Sequence, residues 1–241
     1  MKFVLVSDIH SNLEALAAVL GRIDPDERVL CLGDIIGYGP DPNECVALVR
    51  DRASATVLGN HDVAAVDGHG IATFNDAARE AIEWTRTVLD ADHLAWLDGL
   101  SYELRMPEYL LVHGAPVDYF TYILDKAAAA RAFAATDAPL IFVGHTHVAD
   151  YYALASDGTI AHEFRQRGGE LALQPGVRYI VNVGSVGQPR DLNTDASFVR
   201  YDSESRTIVW FRVPYAIGQT QRKIGVARLP DALARRLGVG R

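Results

Sequence analysis

Lys2-Phe3-Val4-Leu5-Val6-Ser7-Asp8-Ile9-His10-Ser11-Asn12 is the stretch from which the rest of the chain can be read. Phe3 to Val6 is a short apolar run of strand-forming residues. A helix over Leu13–Leu20 is expected directly after it, with Ser11 as N-cap and Glu14 completing a capping box. Asp8 and His10 then fall in the turn after a strand, and in an open α/β sheet the carboxyl ends of the strands are where ligands bind. A carboxylate and an imidazole two residues apart in such a turn can grip one metal ion. Alone, the pair is better explained by an Asx-type turn with a surface histidine, so the metal reading depends on what the other strand ends carry.

Residues 2–52 alternate strand and helix: Phe3–Val6, Leu13–Leu20, Arg28–Leu32 and Asn43–Arg50. The second helix opens with Asp41 as a capping carboxylate and Pro42 at the first helical position. This alternation implies parallel pairing with right-handed crossovers. The second strand ends Cys31-Leu32-Gly33-Asp34, and a third, Ala55–Leu58, ends Gly59-Asn60-His61-Asp62. The segment from Thr73 to Leu100 reads as helical, with Trp84, Val88, Leu94 and Leu97 as packing residues. Tyr102–Met106 and Tyr109–Val112 flank Pro107-Glu108 as a hairpin, and the second strand ends His113-Gly114. An alanine-rich helix around Lys126–Ala135 precedes a strand, Leu140–Val143, that runs into Gly144-His145-Thr146-His147. Residues 149–213 are strand-like, with turns at Asp157-Gly158, Pro175-Gly176 and Asp202-Ser203-Glu204-Ser205. Residues 216–237 read as closing helices broken by Pro230. Without repeats, low-complexity segments or a long linker, one domain over residues 1–241 is the expectation.

Composition agrees with that. The 241 residues are 49% apolar and 22% charged, values of an ordinary folded domain. A chain of this size can bury roughly 70–75% of its unfolded surface without disulfides. Cys31 and Cys45 are expected to be buried free thiols in a reducing cytosol. No signal-peptide pattern and no apolar run near the roughly 20 residues of a membrane span is present, so a cytoplasmic protein without a membrane partner is expected. A net charge of −8 argues against binding long nucleic acid. A small phosphorylated substrate, a nucleotide included, is compatible if a metal cluster overrides that field. The oligomeric state is left open.

Five of the eight histidines, His10, His61, His113, His145 and His147, fall in turns after expected strands, together with Asp8, Asp34 and Asn60. Carboxylate, imidazole and amide oxygen without thiolate is a ligand set for Mn²⁺, Fe, Co, Ni or Zn²⁺. Eight such groups are too many for one ion, and two metals sharing a bridging carboxylate would use them well.

Asp8-x-His10, Gly33-Asp34, Gly59-Asn60-His61-Asp62, His113-Gly114 and Gly144-His145-Thr146-His147 resemble, in order and type, the full motif set of the calcineurin-like metallophosphoesterases, over residues 1 to about 190. The resemblance implies an α/β fold, a four-layer α/β/β/α sandwich of two mixed sheets with the metals at strand ends along one edge. It implies Asp8, His10, Asp34 and His147 around one metal and Asp34, Asn60, His113 and His145 around the other, with Asp34 bridging. Ser7 to Glu14 and Gly33 to Pro42 are similar to the small prokaryotic branch related to diadenosine tetraphosphatases and compact phosphodiesterases. One departure is Ile35-Ile36, where larger phosphatases place Asp and Arg after the glycine and aspartate. It weakens the transfer of their substrate-clamping arginines.

Two divalent ions, manganese foremost, lower the pKa of a bridging water and neutralise a phosphate bound across them. The expected function is hydrolysis of a small phosphodiester, phosphomonoester or nucleotide anhydride by a metal-bridging hydroxide. His61, left over from the ligand set, is expected to protonate the leaving group or stabilise its charge. Asp62 is expected to orient that imidazole or adjust its pKa. Arg190, at the end of the glycine-containing loop from Asn182, is a candidate for holding a substrate phosphate, with loop N–H groups approaching it. Tyr38 and Asn12 are further candidates for lining the pocket. Tyr119-Phe120-Thr121-Tyr122 suits an aromatic wall for a nucleobase as well as plain loop packing. His69, His93 and His162 lie outside every motif and read as surface or packing residues. Two rival readings are a phosphoprotein phosphatase and a catalytically silent binding scaffold of the same fold.

Overall fold

Side-chain alternation along the first strand, β1 (Lys2–Val6), sets the layering of the computed structural model, which describes residues 1–241. Phe3 and Leu5 enter one core, Val4 and Val6 another, as a period of two requires. Parallel to β1 run β2 (Val29–Cys31) and β3 (Ala53–Thr56). Sheet two begins with β4 (Glu103–Arg105), β5 (Leu110–Val112), β6 (Leu140–Val143), β7 (Ala149–Leu154) and β8 (Ile160–Phe164). The last strands are β9 (Gly169–Ala172), β10 (Arg178–Val183), β11 (Ala196–Asp202) and β12 (Thr207–Val213). The strand orders are β3-β2-β1-β11-β12-β9 and β4-β5-β6-β10-β7-β8, two mixed six-stranded sheets. Leu140 and Phe142 join Phe3, Leu5, Tyr109 and Trp210 between the sheets, while Ile141 and Val143 face outward.

Helices cover both outer faces. The first sheet is covered by α1 (Leu13–Leu20) and α2 (Pro42–Arg52), whose Leu16, Val19, Val46 and Val49 share a core with Val4 and Val6. The second is covered by α6 (Lys126–Ala134), through Ala129, Ala132 and Phe133. Between these come α3 (Asn60–Asp67), α4 (Asp76–Val88) and α5 (Ala91–Asp98). At the chain's end, α7 (Ile217–Val226) and α8 (Asp231–Leu237) pack on α4 in a small cluster that includes Tyr38. The result is the expected α/β/β/α sandwich. No helix is long and apolar enough to cross a membrane, and Cys31 and Cys45 are buried and free.

Several local expectations are corrected. The N-cap of α1 is Asn12, whose Oδ1 accepts from Ala15 N at 3.2 Å; Ser11 sits in the left-handed region instead (φ 52°). Glu14 makes no capping box, because its carboxylate is drawn to Lys223 on α7. Asp41 does not cap α2 either; its carboxylate accepts from Lys223 Nζ at 2.9 Å. The helix expected from Thr73 to Leu100 is two helices, and α3 before them was not foreseen. The break is pinned from outside: Asn43 of α2 donates to Val88 O and accepts from Asp90 N, both at 2.8 Å. Val88, read as a packing residue, is exposed.

Candidate metal centre

The turn after each site-bearing strand is fastened to its neighbour by main-chain bonds. Asp8 N donates to Gly33 O, His10 N to Asp34 O and Ser11 N to Ile35 O, at 3.0, 2.9 and 2.9 Å. Side chains extend the clasp: His61 N donates to Asp34 Oδ1 at 2.8 Å, and His145 N to Asp8 Oδ2 at 3.0 Å. Gly59 and Gly144 make this approach feasible. A Cβ on Gly59 would run into the Asp34 carboxylate, and one on Gly144 into Ser7 and Asp8. The backbone is also held in an unfavourable region, with positive φ at Asp8 (52°), His10 (49°), Asp34 (50°), His145 (66°) and His147 (60°). Non-glycine residues tolerate this only where surrounding structure over-determines them, and such residues cluster at functional sites.

Asp8, His10, Asp34 and His147 bring one ligand atom each within 4.8 Å of one another, and Asp34, His113 and His145 do the same. Asp34 belongs to both groups, and all six residues are buried. Asn60 opens α3 beside them. His147 Nε2 stands 3.2 Å from Asp8 Oδ1, and His113 Nε2 3.2 Å from Asp34 Oδ2.

The donor chemistry fits cations. His10 Nδ1, His113 Nδ1, His145 Nε2 and His147 Nδ1 each face a backbone carbonyl, of Ile36, Leu32, Phe120 and Gln188, at 3.1, 2.8, 2.8 and 2.6 Å. A carbonyl only accepts, so these nitrogens carry the ring proton and a neutral ring turns its lone pair inward. Inward, His10 Nε2 meets His147 Nε2 and His113 Nε2 meets His145 Nδ1, both at 3.1 Å. Lone pairs do not bond one another: between His10 and His147 a cation resolves the contact, and between His113 and His145 either a second proton on His113, favoured by the Asp34 carboxylate, or a cation in its place does so. Asp8 Oδ1 and Asn60 Oδ1 are likewise buried without a hydrogen-bond partner.

Titration follows from the same crowding. Burial pushes His61 down to about 4 and His145 to about 3, and lowers His10 and His147 as well. For His113 burial is outweighed by the Asp34 carboxylate, which raises it to about 9. Burial would raise Asp8 and Asp34, but His147 beside the first and His113 beside the second hold both below the ordinary carboxylate range. Burial and the Asp34 charge push Asp62 up to about 7.

The other expected site residues divide. His61 edges against His10 and lies 4.5 Å from the Tyr38 ring, in the lining of a cavity of about 330 Å³. Asp62 does not orient it. The Asp62 carboxylate accepts from the N–H groups of Ile35, Ile36 and Gly59, while His61 Nδ1 has no partner, so Asp62 holds loops rather than the imidazole. Asn12 does not line this cavity but a small void of about 10 Å³ with His10 and Tyr38, and its amide is taken up by Gly187 O, Tyr215 Oη, Ala15 N and the Thr220 hydroxyl. In the loop from Asn182, the N–H groups of Val186 and Gly187 are taken by Ser7 O and Asp8 O, so they are not free for phosphate. Arg190, at its end, donates to the Tyr38 hydroxyl at 3.2 Å. Phe120 and Tyr122 do line the cavity, Tyr122 stacked on His145 at 3.8 Å. His69, Thr73, Phe74 and Asn75 line it too, and no sequence motif marked them. His93 and His162 stay outside, bonded to Asn43 and Asp150.

Residues 1–206 match the family model of the calcineurin-like phosphoesterase superfamily domain. A solved metallophosphoesterase from Sphaerobacter thermophilus is 38% identical, with 100% of both chains covered and a TM-score of 0.89. Shorter matches reach two enzymes of different name. Serine/threonine-protein phosphatase 1 of Salmonella typhimurium is 33% identical over 99 residues, 40% of this chain and 45% of that protein. The symmetrical bis(5'-nucleosyl)-tetraphosphatase of Stutzerimonas stutzeri is 34% identical over 102 residues, 38% of this chain and 35% of that protein. The chain belongs to the calcineurin-like phosphoesterase superfamily and is a metal-dependent phosphoric ester hydrolase.

Proposed function

We propose that the chain hydrolyses a small phosphodiester, phosphomonoester or nucleotide anhydride with two divalent ions, one held by Asp8, His10, Asp34 and His147 and the other by Asp34, Asn60, His113 and His145. The observation that carries this reading is four carbonyl-anchored histidines that turn their second ring nitrogen inward around two buried carboxylates. When bound, such ions acidify water and neutralise phosphate charge. The chain's own groups do the rest. The carbonyls of Ile36, Leu32, Phe120 and Gln188 fix ring orientation. His61, neutral at pH 7 with its ring at about 4, hydrogen-bonds to the departing oxygen as a neutral donor. Phe74, Phe120 and Tyr122 give the approach an aromatic wall.

The reading is tested by stripping metal and resupplying Mn²⁺, Ni²⁺, Zn²⁺ or Mg²⁺ in turn, with bis-p-nitrophenyl phosphate, p-nitrophenyl phosphate and a phosphoserine peptide as substrates. Turnover that needs the metal and favours the small esters supports it. Preference for the peptide moves the assignment to a phosphoprotein phosphatase, and silence with every metal despite binding moves it to a scaffold.

A further inference from the structure

The cavity beside the metal centre holds about 330 Å³, near the lower end of the roughly 300–1,000 Å³ of small-molecule sites. Three residues of the centre, Asn60, His61 and His145, belong to its lining. On the hydrolase reading, a phosphoryl group held at the centre sends its leaving group past His61 into this space.

The lining decides which leaving group fits there. No Asp, Glu, Lys or Arg side chain is part of it, although charged residues make up 22% of the chain. A departing phosphate, as in a nucleotide anhydride, brings charge into a lining with no cation to meet it; a neutral alcohol does not. Tyr38, Phe74, Phe120 and Tyr122 supply aromatic surface. The Phe74 ring lies 4.5 Å from the His61 ring at 32°, and Tyr122 stacks on His145 at 3.8 Å and 14°. Both therefore rest on imidazoles of the centre, yet neither is covered: Tyr122 is 45% exposed and Phe74 is only half-buried. Uncovered aromatic surface in a concave site suits a flat ring laid against it.

The remaining lining groups are hydrogen-bonding groups with capacity to spare. Asn75 Oδ1 caps α4 by accepting from Ala78 N at 3.0 Å, which leaves its amide N–H groups unpartnered. The His69 main-chain N–H donates to Asp67 Oδ1, and its ring nitrogens remain free. Aromatic surface edged by an amide and an imidazole is the combination that holds an unpaired nucleobase, the rings against its face and the polar groups at its edge.

We propose that the leaving group is a nucleoside: the chain hydrolyses a phosphate ester whose departing alcohol carries a nucleobase, with Phe74 and Tyr122 against the base and Asn75 and His69 at its edge. The proposal rests on the hydrolase reading for where phosphorus sits, and narrows the three substrate classes to an ester. The oxygen of water bonds to phosphorus, the bond from phosphorus to the nucleoside oxygen breaks, and that oxygen takes a proton. A monoester thus yields inorganic phosphate and the free nucleoside.

That product is the probe, because a nucleoside binds without turnover. Adenosine, uridine, ribose and benzyl alcohol are titrated calorimetrically into the full chain loaded with two equivalents of Mn²⁺, and the nucleosides again into Phe74→Leu and Tyr122→Leu. The expected result is a nucleoside binding about tenfold or more tighter than ribose or benzyl alcohol. About tenfold should be lost in Phe74→Leu, since a base stacked on an aromatic ring is worth roughly 1–3 kcal/mol. Nucleosides that bind no tighter than ribose overturn the proposal, and need no variant. Benzyl alcohol binding as tightly as the nucleosides overturns it in favour of a plain arene, and unchanged affinity in both folded variants removes it from this cavity. A chain that binds nucleosides in this way but hydrolyses no ester keeps the pocket and refutes the hydrolase reading; one that hydrolyses small esters yet binds nucleosides no better than ribose does the reverse.

Discussion

Five site residues hold left-handed backbone, at a cost of order 1 kcal/mol each, and the bonds that impose it come from neighbouring turns. The strain fixes where the ligand atoms point before any ion arrives. His61 differs in kind, since its ring nitrogen Nδ1 is buried and unpartnered and no carbonyl anchors it. His61→Ala is therefore expected to bind two equivalents of metal while kcat falls by roughly 10²–10⁴, the usual share of a positioned proton donor. Metal analysis and turnover on the same sample check this, and undiminished kcat would remove His61 from the chemistry. Asp62 was legible as a site neighbour but not in its role. Its side chain accepts from three main-chain N–H groups, so Asp62→Ala should lower stability by about 3 kcal/mol, because those buried donors are left unpaired. Denaturant unfolding measures the loss. A variant as stable as the parent would show that the clasp contributes nothing.

Elements were legible to different degrees, and the reason is what closes each of them. Where strand alternation and a following helix are local matters, as in β1, α1 and β6, sequence expectation and structure agree within a residue. The caps failed where a distant group competes: Lys223 on α7 takes both Glu14 and Asp41 away from the helix ends they were expected to serve. Asn43 splits α4 from α5 in the same manner, from another helix. Asn12 carries the opposite lesson. It caps α1 and also ties that helix to Gly187, Tyr215 and Thr220, so Asn12→Ala should cost more than an ordinary cap, about 2 kcal/mol or above, with no change in substrate KM. A stability change below about 0.5 kcal/mol, or a raised KM with stability intact, would return Asn12 to the pocket.

At the scale of the whole molecule, the sandwich gathers two carboxylates and four inward-facing rings at one edge, and this makes the metal-free protein sensitive to acid. The folded pKa values of His61 (about 4) and His145 (about 3) lie below the ordinary 6.5, and His10 and His147 shift the same way. The folded state then binds fewer protons than the unfolded one, so stability present above pH 6.5 is lost as pH falls through 6 and 5. His113, raised to about 9, is charged in both states in that window and adds nothing there. Asp62, raised to about 7, acts in the opposite sense, but it is one group against four. The metal-free chain should accordingly melt several degrees lower at pH 5 than at pH 7. Metal at roughly 100 times its Kd should add about 2.7 kcal/mol at pH 7, some 5–10 °C for a chain of this size, and less at pH 5 where protons compete for the rings. Scanning calorimetry with and without Mn²⁺ at both pH values decides it; a metal-free chain more stable at pH 5, or a Tm indifferent to metal at pH 7, contradicts the account.

The sequence by itself determined the alternation of strand and helix in the first half, a strand-rich second half, and the ordered set of Asp, His and Asn at strand ends, because strand and helix patterning and turn chemistry are local properties. It also marked Gly59 and Gly144 as part of those motifs without showing why they are glycine. Tertiary structure alone decided that the loops are clasped through Asp62, that the Asn12 amide is fully bonded within the fold, that Phe74 and His69 border the cavity, and that Arg190 donates to the Tyr38 hydroxyl. Those facts depend on which distant groups compete for the same carboxylate, amide or space, and that competition exists only once both sheets have closed on each other.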